Sequence, residues 1–483
     1  MRPLEISTKL FRELGQKEFV YCHWKSNSHL VQALAGDTDL DLLIQKDKKA
    51  KFEAILSKYD FKKIISYRLK RYPGMEDYLG FDLETGKLIH LHVHYKLMIG
   101  RRYIKNYHLP IENIVLNDLK ILEGVYISST EMELLLLIIR SCMKLRAKDI
   151  LLYLLRYRKA PFPINILDEF YFLLKDYSRD KFKDVLVKID LPLSASRLIG
   201  FVEKLSNGKL TLATVFSVRF HIFRALHSFR HQERFRSYKR AFEIVLHLLP
   251  GLKKLRPMPK KKLNGNGRSF ALVGADGSGK STLVKDLYSW LSWKLQVRAF
   301  YFGLPKTLGF KIVNKFVSFL RLPIRMDLGK VFELFVNFGQ YISARRWIWI
   351  AHRRFDLSHQ IEQFSATGGI SIADRYPLSD FRHMVTPMDG PRIRNEWAID
   401  GKKWAEYEEW YYSHISLPTK VFVLRTSFDE LRRRKTDLDL KIHKEKAEAI
   451  NEINNSSGVC IINANEPYAK VLLDIKRKIW KLL

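Results

Sequence analysis

The chain has 483 residues, a hydrophobic content of 47% and a formal net charge of +33 at pH 7. That length is too great for one core, so two or three domains are expected, and the charge favours an anionic partner such as nucleic acid, an acidic membrane surface or a phosphorylated substrate. Three scattered cysteines (Cys22, Cys142, Cys460) exclude a disulfide framework and a cysteine zinc cluster; with no apolar leader and no apolar run long enough to span a bilayer, a cytoplasmic protein is expected.

Residues 1–125 mix short strands and helices, the pattern of an α+β domain. "DLDLLIQ" (Asp39 to Gln45) and "KLIHLHVHYKL" (Lys87 to Leu97) have the apolar-rich or alternating pattern of strands. Alternation puts Asp39 and Asp41 on one side, where the pair could share a divalent cation. It also puts His90, His92 and His94 on one face. They could join the two aspartates around a softer metal than Mg²⁺, or be hydrogen-bonded histidines facing solvent or a helix.

From Ser129 the periodicity turns helical. Ser129 or Thr130 is a candidate cap and Glu133 lies three residues past Thr130. Residues 126–252 read as a helical, strongly basic domain or connector. Between Arg219 and Arg268 the acids are Glu233 and Glu243 alone, against a long series of lysines and arginines. This segment is either a solvated helix face or a surface for a polyanion or membrane. Residues 253–267, with two prolines, two glycines and a basic run, read as a linker.

Residues 268–483 follow an α/β pattern, expected as a parallel sheet flanked by helices. "RSFALVGADGSGKST" is an apolar strand running into G-x-x-x-x-G-K-[ST] at the head of a helix. In this P-loop, Gly274, Gly277 and Gly279 allow the backbone to turn its N–H groups toward phosphate. Asp276, Ser278 and Thr282 complete the loop. Lys280 can neutralise the β- and γ-phosphates of a nucleotide and Ser281 can hold Mg²⁺. A second buried-type strand ends in Asp374-Arg375-Tyr376, where Asp374 can hold Mg²⁺ or orient an acceptor and Arg375 can grip phosphate or carboxylate. A third strand leads to a helix carrying Arg432, Arg433, Arg434 and Lys435, either an arginine lid over the triphosphate or an ordinary basic face.

With these motifs, residues 268–483 resemble the thymidylate kinase family of nucleoside-monophosphate kinases. The resemblance implies ATP and Mg²⁺ as cofactors, Asp276 facing the acceptor, Asp374 and Arg375 engaging its phosphate, Arg433 or Arg434 closing from the lid, and, by analogy, a homodimer. Val273 stands where the family usually has an acid, "YFGLPKTLGF" (Tyr301 to Phe310) replaces its Arg-Glu-Pro-Gly-Gly, and "PLSDFRHMVTPMDGPRI" (Pro377 to Ile393), with Asp389 and Arg392 in a turn, replaces its next motif. All three changes fall on the acceptor side, away from the ATP side. The stretch from Ser26 to Asp39-Leu40-Asp41 resembles the nucleotidyltransferase superfamily, with Lys25 in place of the glycine of its Gly-Ser turn. The superfamily's third carboxylate is missing from the histidine strand, and Asp82 is a candidate substitute.

The expected function is an ATP-dependent kinase transferring the γ-phosphate to a small phosphate- or hydroxyl-bearing acceptor, nucleoside-monophosphate-like or other, fused to a nucleotidyltransferase-like domain. Two alternatives stay open: a nucleic-acid end-processing enzyme and a non-catalytic, NTP-binding regulatory protein.

Overall fold

The computed structural model describes residues 2–17, 19–101, 104–231, 234–249, 258–305, 329–378, 390–397, 400–434 and 440–483. The chain divides into two compact units, Met1–Lys261 and Lys262–Leu483. Both are α/β. Among the described residues no helix is long and apolar enough to cross a membrane.

The first unit is built on a mixed sheet. Its strands β1 (Tyr21–His23), β2 (Asp39–Ile44), β3 (Lys62–Ile65), β4 (Met75–Phe81) and β5 (Leu88–His94) precede a hairpin of β6 (Leu97–Arg101) and β7 (Ile104–Leu109). With β8 (Leu119–Leu122) and β9 (Val125–Ser128), the sheet order is β3-β4-β5-β2-β1-β9-β8. At its centre β2 runs parallel to β5, and β5 antiparallel to β4.

The helix Thr130–Lys144 starts where the sequence signals it, with the Ser129 side chain accepting from the Met132 amide. The helix is buried almost all round, because Ile164–Leu174, Arg179–Lys188 and Leu212–Ala225 pack against it. The resulting core also takes in Cys22, Trp24, Leu97 and Ile99, so helices and sheet share one apolar interior. Part of the basic segment is spent on this architecture. Arg219 donates to the carbonyls of Cys142 and Leu145 at the end of that helix, and Arg240 to those of Leu69 and Arg71. A guanidinium satisfies carbonyls that a helix end leaves orphaned and complements its dipole.

In the second unit five strands are all parallel, in the spatial order Val297–Tyr301, Ile370–Asp374, Arg268–Gly274, Lys420–Arg425, Val459–Asn463. Ile370–Asp374 is buried at every position, as a strand covered on both faces demands. Helices Lys280–Ser292 and Gly329–Ala366 lie against the central strands, Leu440–Glu452 against Lys420–Arg425, and Tyr468–Leu482 against Val459–Asn463. The central strand Arg268–Gly274 is the first in sequence, with later strands added on either side of it. Its carboxyl end is therefore the crevice where open parallel sheets bind ligands.

Candidate active site

The loop after Arg268–Gly274 occupies that crevice. Gly277 and Gly279 have φ of 94° and 88°, left-handed values that favour glycine, and Gly279 caps the helix Lys280–Ser292. A Cβ on Gly274 would lie 2.6 Å from the Ser278 hydroxyl and 3.1 Å from the Leu424 carbonyl, a close approach that favours glycine there. Lys280 is buried and its ammonium donates to the carbonyls of Gly274 (2.8 Å) and Ala275 (2.7 Å), folding back along its own loop.

Asp374 ends the neighbouring strand, opposite Leu272 in register. Its Oδ2 accepts from the Ser281 hydroxyl at 2.8 Å, while its Oδ1 is buried with no hydrogen-bond partner. An orphaned carboxylate oxygen beside a P-loop hydroxyl is an oxygen-donor pair of the kind that suits Mg²⁺. The residues present fit that ion.

The next residue, Arg375, has a φ of 61°, a strained conformation for a non-glycine residue and one common at functional sites. Its guanidinium donates to Asp276 Oδ1 at 2.6 Å. Gly303 makes room for it, since a Cβ there would come within 2.9 Å of the Arg375 side chain. Asp276 Oδ2 accepts from Lys446 at 2.9 Å. Burial alone would raise the Asp276 pKa; the Arg375 charge and the Lys446 hydrogen bond outweigh it and hold the carboxyl well below its usual range. Lys446, on Leu440–Glu452, was missed in the sequence, where it is one lysine among several on an amphipathic helix. The wall behind this group is fixed by Arg353, which donates to the carbonyls of Tyr301 and Gly303, and by buried Arg354, which donates to that of Phe302.

Beside the loop lies a cavity of about 540 Å³ lined by Gly277, Thr282, Arg433, Arg434, Asn465 and Tyr468. That volume is in the range of small-molecule sites. Arg433 and Arg434 both bind Glu430, and Arg434 also donates to the Ala464 carbonyl, so the expected lid arginines line the cavity as an anchored pair. Tyr376 is a packing residue: it is buried against Phe302 and donates to the Ser416 carbonyl. Lys435 and Asp389 lie outside the described residues, as does the whole stretch 379–389.

The first unit gathers a second polar cluster. The register sets Asp39 beside His90, and Asp41 beside His92, with Asp77 of β4 opposite His92 on the other flank. Asp77 Oδ1 contacts His92 Nδ1 (2.8 Å), His90 Nε2 (3.2 Å) and the Lys261 ammonium (2.6 Å). Asp41 Oδ1 contacts Lys25 (2.7 Å) and His94 Nε2 (3.3 Å), and Asp39 contacts His90 Nδ1 (2.9 Å). Burial would raise the Asp41 pKa, but the Lys25 charge and the His94 hydrogen bond hold it well below its usual range. Burial depresses the pKa of His92 and of His94, which keeps both imidazoles neutral.

Three expectations change here. Asp82 is not part of the cluster: it is fully buried and accepts from the Ile6 and Thr85 amides, anchoring a turn. The carboxylate completing the row is Asp77, reached through strand pairing. Lys25, which stands in place of the glycine of the Gly-Ser turn, is bonded to Asp41, and Ser26 beside it (φ 57°) donates to Glu169. The nucleotidyltransferase resemblance implies Mg²⁺ on Asp39 and Asp41, but the donors that converge are mostly imidazoles, and Asp39 is turned to His90. Mg²⁺ takes oxygen ligands, so this set does not fit it.

No protein-family model matches the chain, and no curated protein matches it. Among solved structures, the chain is similar to the thymidylate kinase of Candida albicans, with 17% identity over 45% of this chain and 91% of that chain and a TM-score of 0.28.

Proposed function

We propose that the second unit is an ATP- and Mg²⁺-dependent kinase that transfers the γ-phosphoryl group to a small acceptor carrying phosphate. The observation that carries this is the convergence, at the carboxyl end of the central strands, of a P-loop, the Ser281–Asp374 pair, and the Arg375–Asp276–Lys446 group. Loop amides and Lys280 take the β- and γ-phosphates, the ammonium exchanging its two carbonyl partners for phosphate oxygens. Ser281 and Asp374 would hold Mg²⁺, which when bound would supply charge neutralisation there. An anionic acceptor enters beside Arg375 and Lys446, whose shared carboxylate Asp276 positions both cations. An acceptor oxygen bonds to the γ-phosphorus as the bond to the β–γ bridging oxygen breaks, and the nucleoside diphosphate leaves. Arg433 and Arg434 flank the nucleotide cavity, where either can stabilise charge in transfer.

The test is transfer from γ-labelled ATP to a panel of nucleoside monophosphates, sugar phosphates, free sugars and oligonucleotide ends, with the full chain and its Lys280→Ala variant. Transfer to a small phosphorylated acceptor, lost in a folded Lys280→Ala protein, supports the assignment. Normal transfer by that variant, or no acceptor in the panel, refutes it.

A further inference from the structure

The cluster on β2, β4 and β5 lies in a different unit from the P-loop, and the kinase chemistry makes no use of it. Ligand atoms of Asp41, His92 and His94 lie within 4.8 Å of one another, and so do those of Asp77, His90 and His92. His92 stands between the two aspartates, because parallel pairing with β2 and antiparallel pairing with β4 both bring a carboxylate to its row. Asp77 accepts from its Nδ1, which leaves Nε2 as the metal donor, the usual arrangement by which a carboxylate fixes a ligating imidazole. His94 is fully buried, with Nε2 facing Asp41 and Nδ1 lacking a hydrogen-bond partner. The Lys25 ammonium sits 2.7 Å from the same Asp41 oxygen that His94 faces, where a cation would sit.

We propose that Asp41, His92 and His94 form a site for a borderline divalent transition-metal ion such as Zn²⁺, with Asp77 orienting His92 and the Lys25 ammonium holding the ion's place until it binds. Two imidazoles and one carboxylate are a donor set that selects such ions over Mg²⁺ and leaves coordination positions open. Lys25 competes with the ion for Asp41, so the site is tuned weak by its own side chain. Binding turns the ammonium outward, free to meet an anion. Asp39 and His90 complete the row on the other side, where the Lys261 ammonium pairs with Asp77.

The test uses the full-length chain, stripped of metal with a chelator, and titrated with Zn²⁺, Co²⁺ and Mg²⁺ by calorimetry and visible absorption. One Zn²⁺ per chain is expected, along with the visible absorption of a histidine-ligated, low-coordinate Co²⁺. Mg²⁺ should bind at least ~100-fold more weakly, following the preference of imidazole donors. His92→Ala and His94→Ala should each weaken Zn²⁺ binding by more than tenfold, and Asp77→Asn by about 10–100-fold through loss of orientation. Lys25→Met should tighten it, a gain that misfolding cannot imitate. Lys280→Ala should leave Zn²⁺ binding unchanged, and His92→Ala should leave ATP turnover unchanged, so this site and the kinase assignment fail separately. Three results overturn the proposal: no Zn²⁺ binding by wild type and Lys25→Met, undiminished binding in a folded His92→Ala/His94→Ala protein, or Mg²⁺ binding as tight as Zn²⁺.

Discussion

In the proposed kinase, Lys446 and Asp276 would meet the acceptor. Lys446→Met keeps the length of the side chain but removes the cation that an anionic acceptor would draw from Asp276. The expected outcome in steady-state kinetics is a rise in acceptor KM of about tenfold or more, with KM for ATP little changed, since one charge-assisted hydrogen bond contributes about 1.5–3 kcal/mol. The same carboxylate sets a pH limit. Its folded-state pKa is depressed, so the stabilisation is present above the unfolded carboxyl's pKa of about 4 and is lost as pH falls through the folded value. Thermal melts of the wild type should lose stability below about pH 4, and Asp276→Asn should flatten that part of the profile. At the same scale, Asp374→Asn removes charge beside Ser281 and should raise the Mg²⁺ concentration needed for half-maximal transfer. An unchanged requirement would count against Asp374 as a metal-holding residue.

Two elements position the rest. The helix Thr130–Lys144 starts at Ser129 and sends Glu133 to the Asn27 amide and side chain, fixing the turn that carries Lys25. Ser129→Ala should lower stability by about 1 kcal/mol, measured by denaturant melts, because the helix loses its N-cap. In the second unit a Cβ on Gly267 would lie 1.7 Å from the Gly369 carbonyl, a contact with backbone that no rotamer relieves. Gly267→Ala should therefore displace the start of the Ile370–Asp374 strand and reduce ATP binding together with stability. Cap and strand patterns were legible in the sequence because they depend on neighbours a few residues apart. The role of Glu133 was not, because Asn27 is a hundred residues away along the chain.

Across the whole molecule, the second unit has its own sheet and its own core, around residues such as Ala271, Phe302 and Val423. Residues 262–483 expressed alone should fold cooperatively and bind ATP with an affinity close to that of the full chain, as measured by calorimetry. Loss of ATP binding in a folded fragment would show that the first unit contributes to the site. The charge of +33 does not reduce to one binding face: Arg219 and Arg240 close off backbone carbonyls, and Arg353 and Arg354 fix a loop.

The sequence by itself determined the glycine loop, since Gly274 to Thr282 is contiguous and its features are local: glycines for left-handed turns, a lysine, a hydroxyl, and a helix start. It also determined the strands bearing Asp39, Asp41 and the three histidines, because a two-residue period shows which side chains share a face. Only the tertiary structure decided which residues meet. Asp77 reaches His92 through strand register, Lys446 reaches Asp276 through helix packing, and Lys25 turns to Asp41 because a carboxylate withdrawn from water needs a cation close by. Register and packing join positions 15 to 170 residues apart, on separate segments whose own periodicity does not encode the pairing.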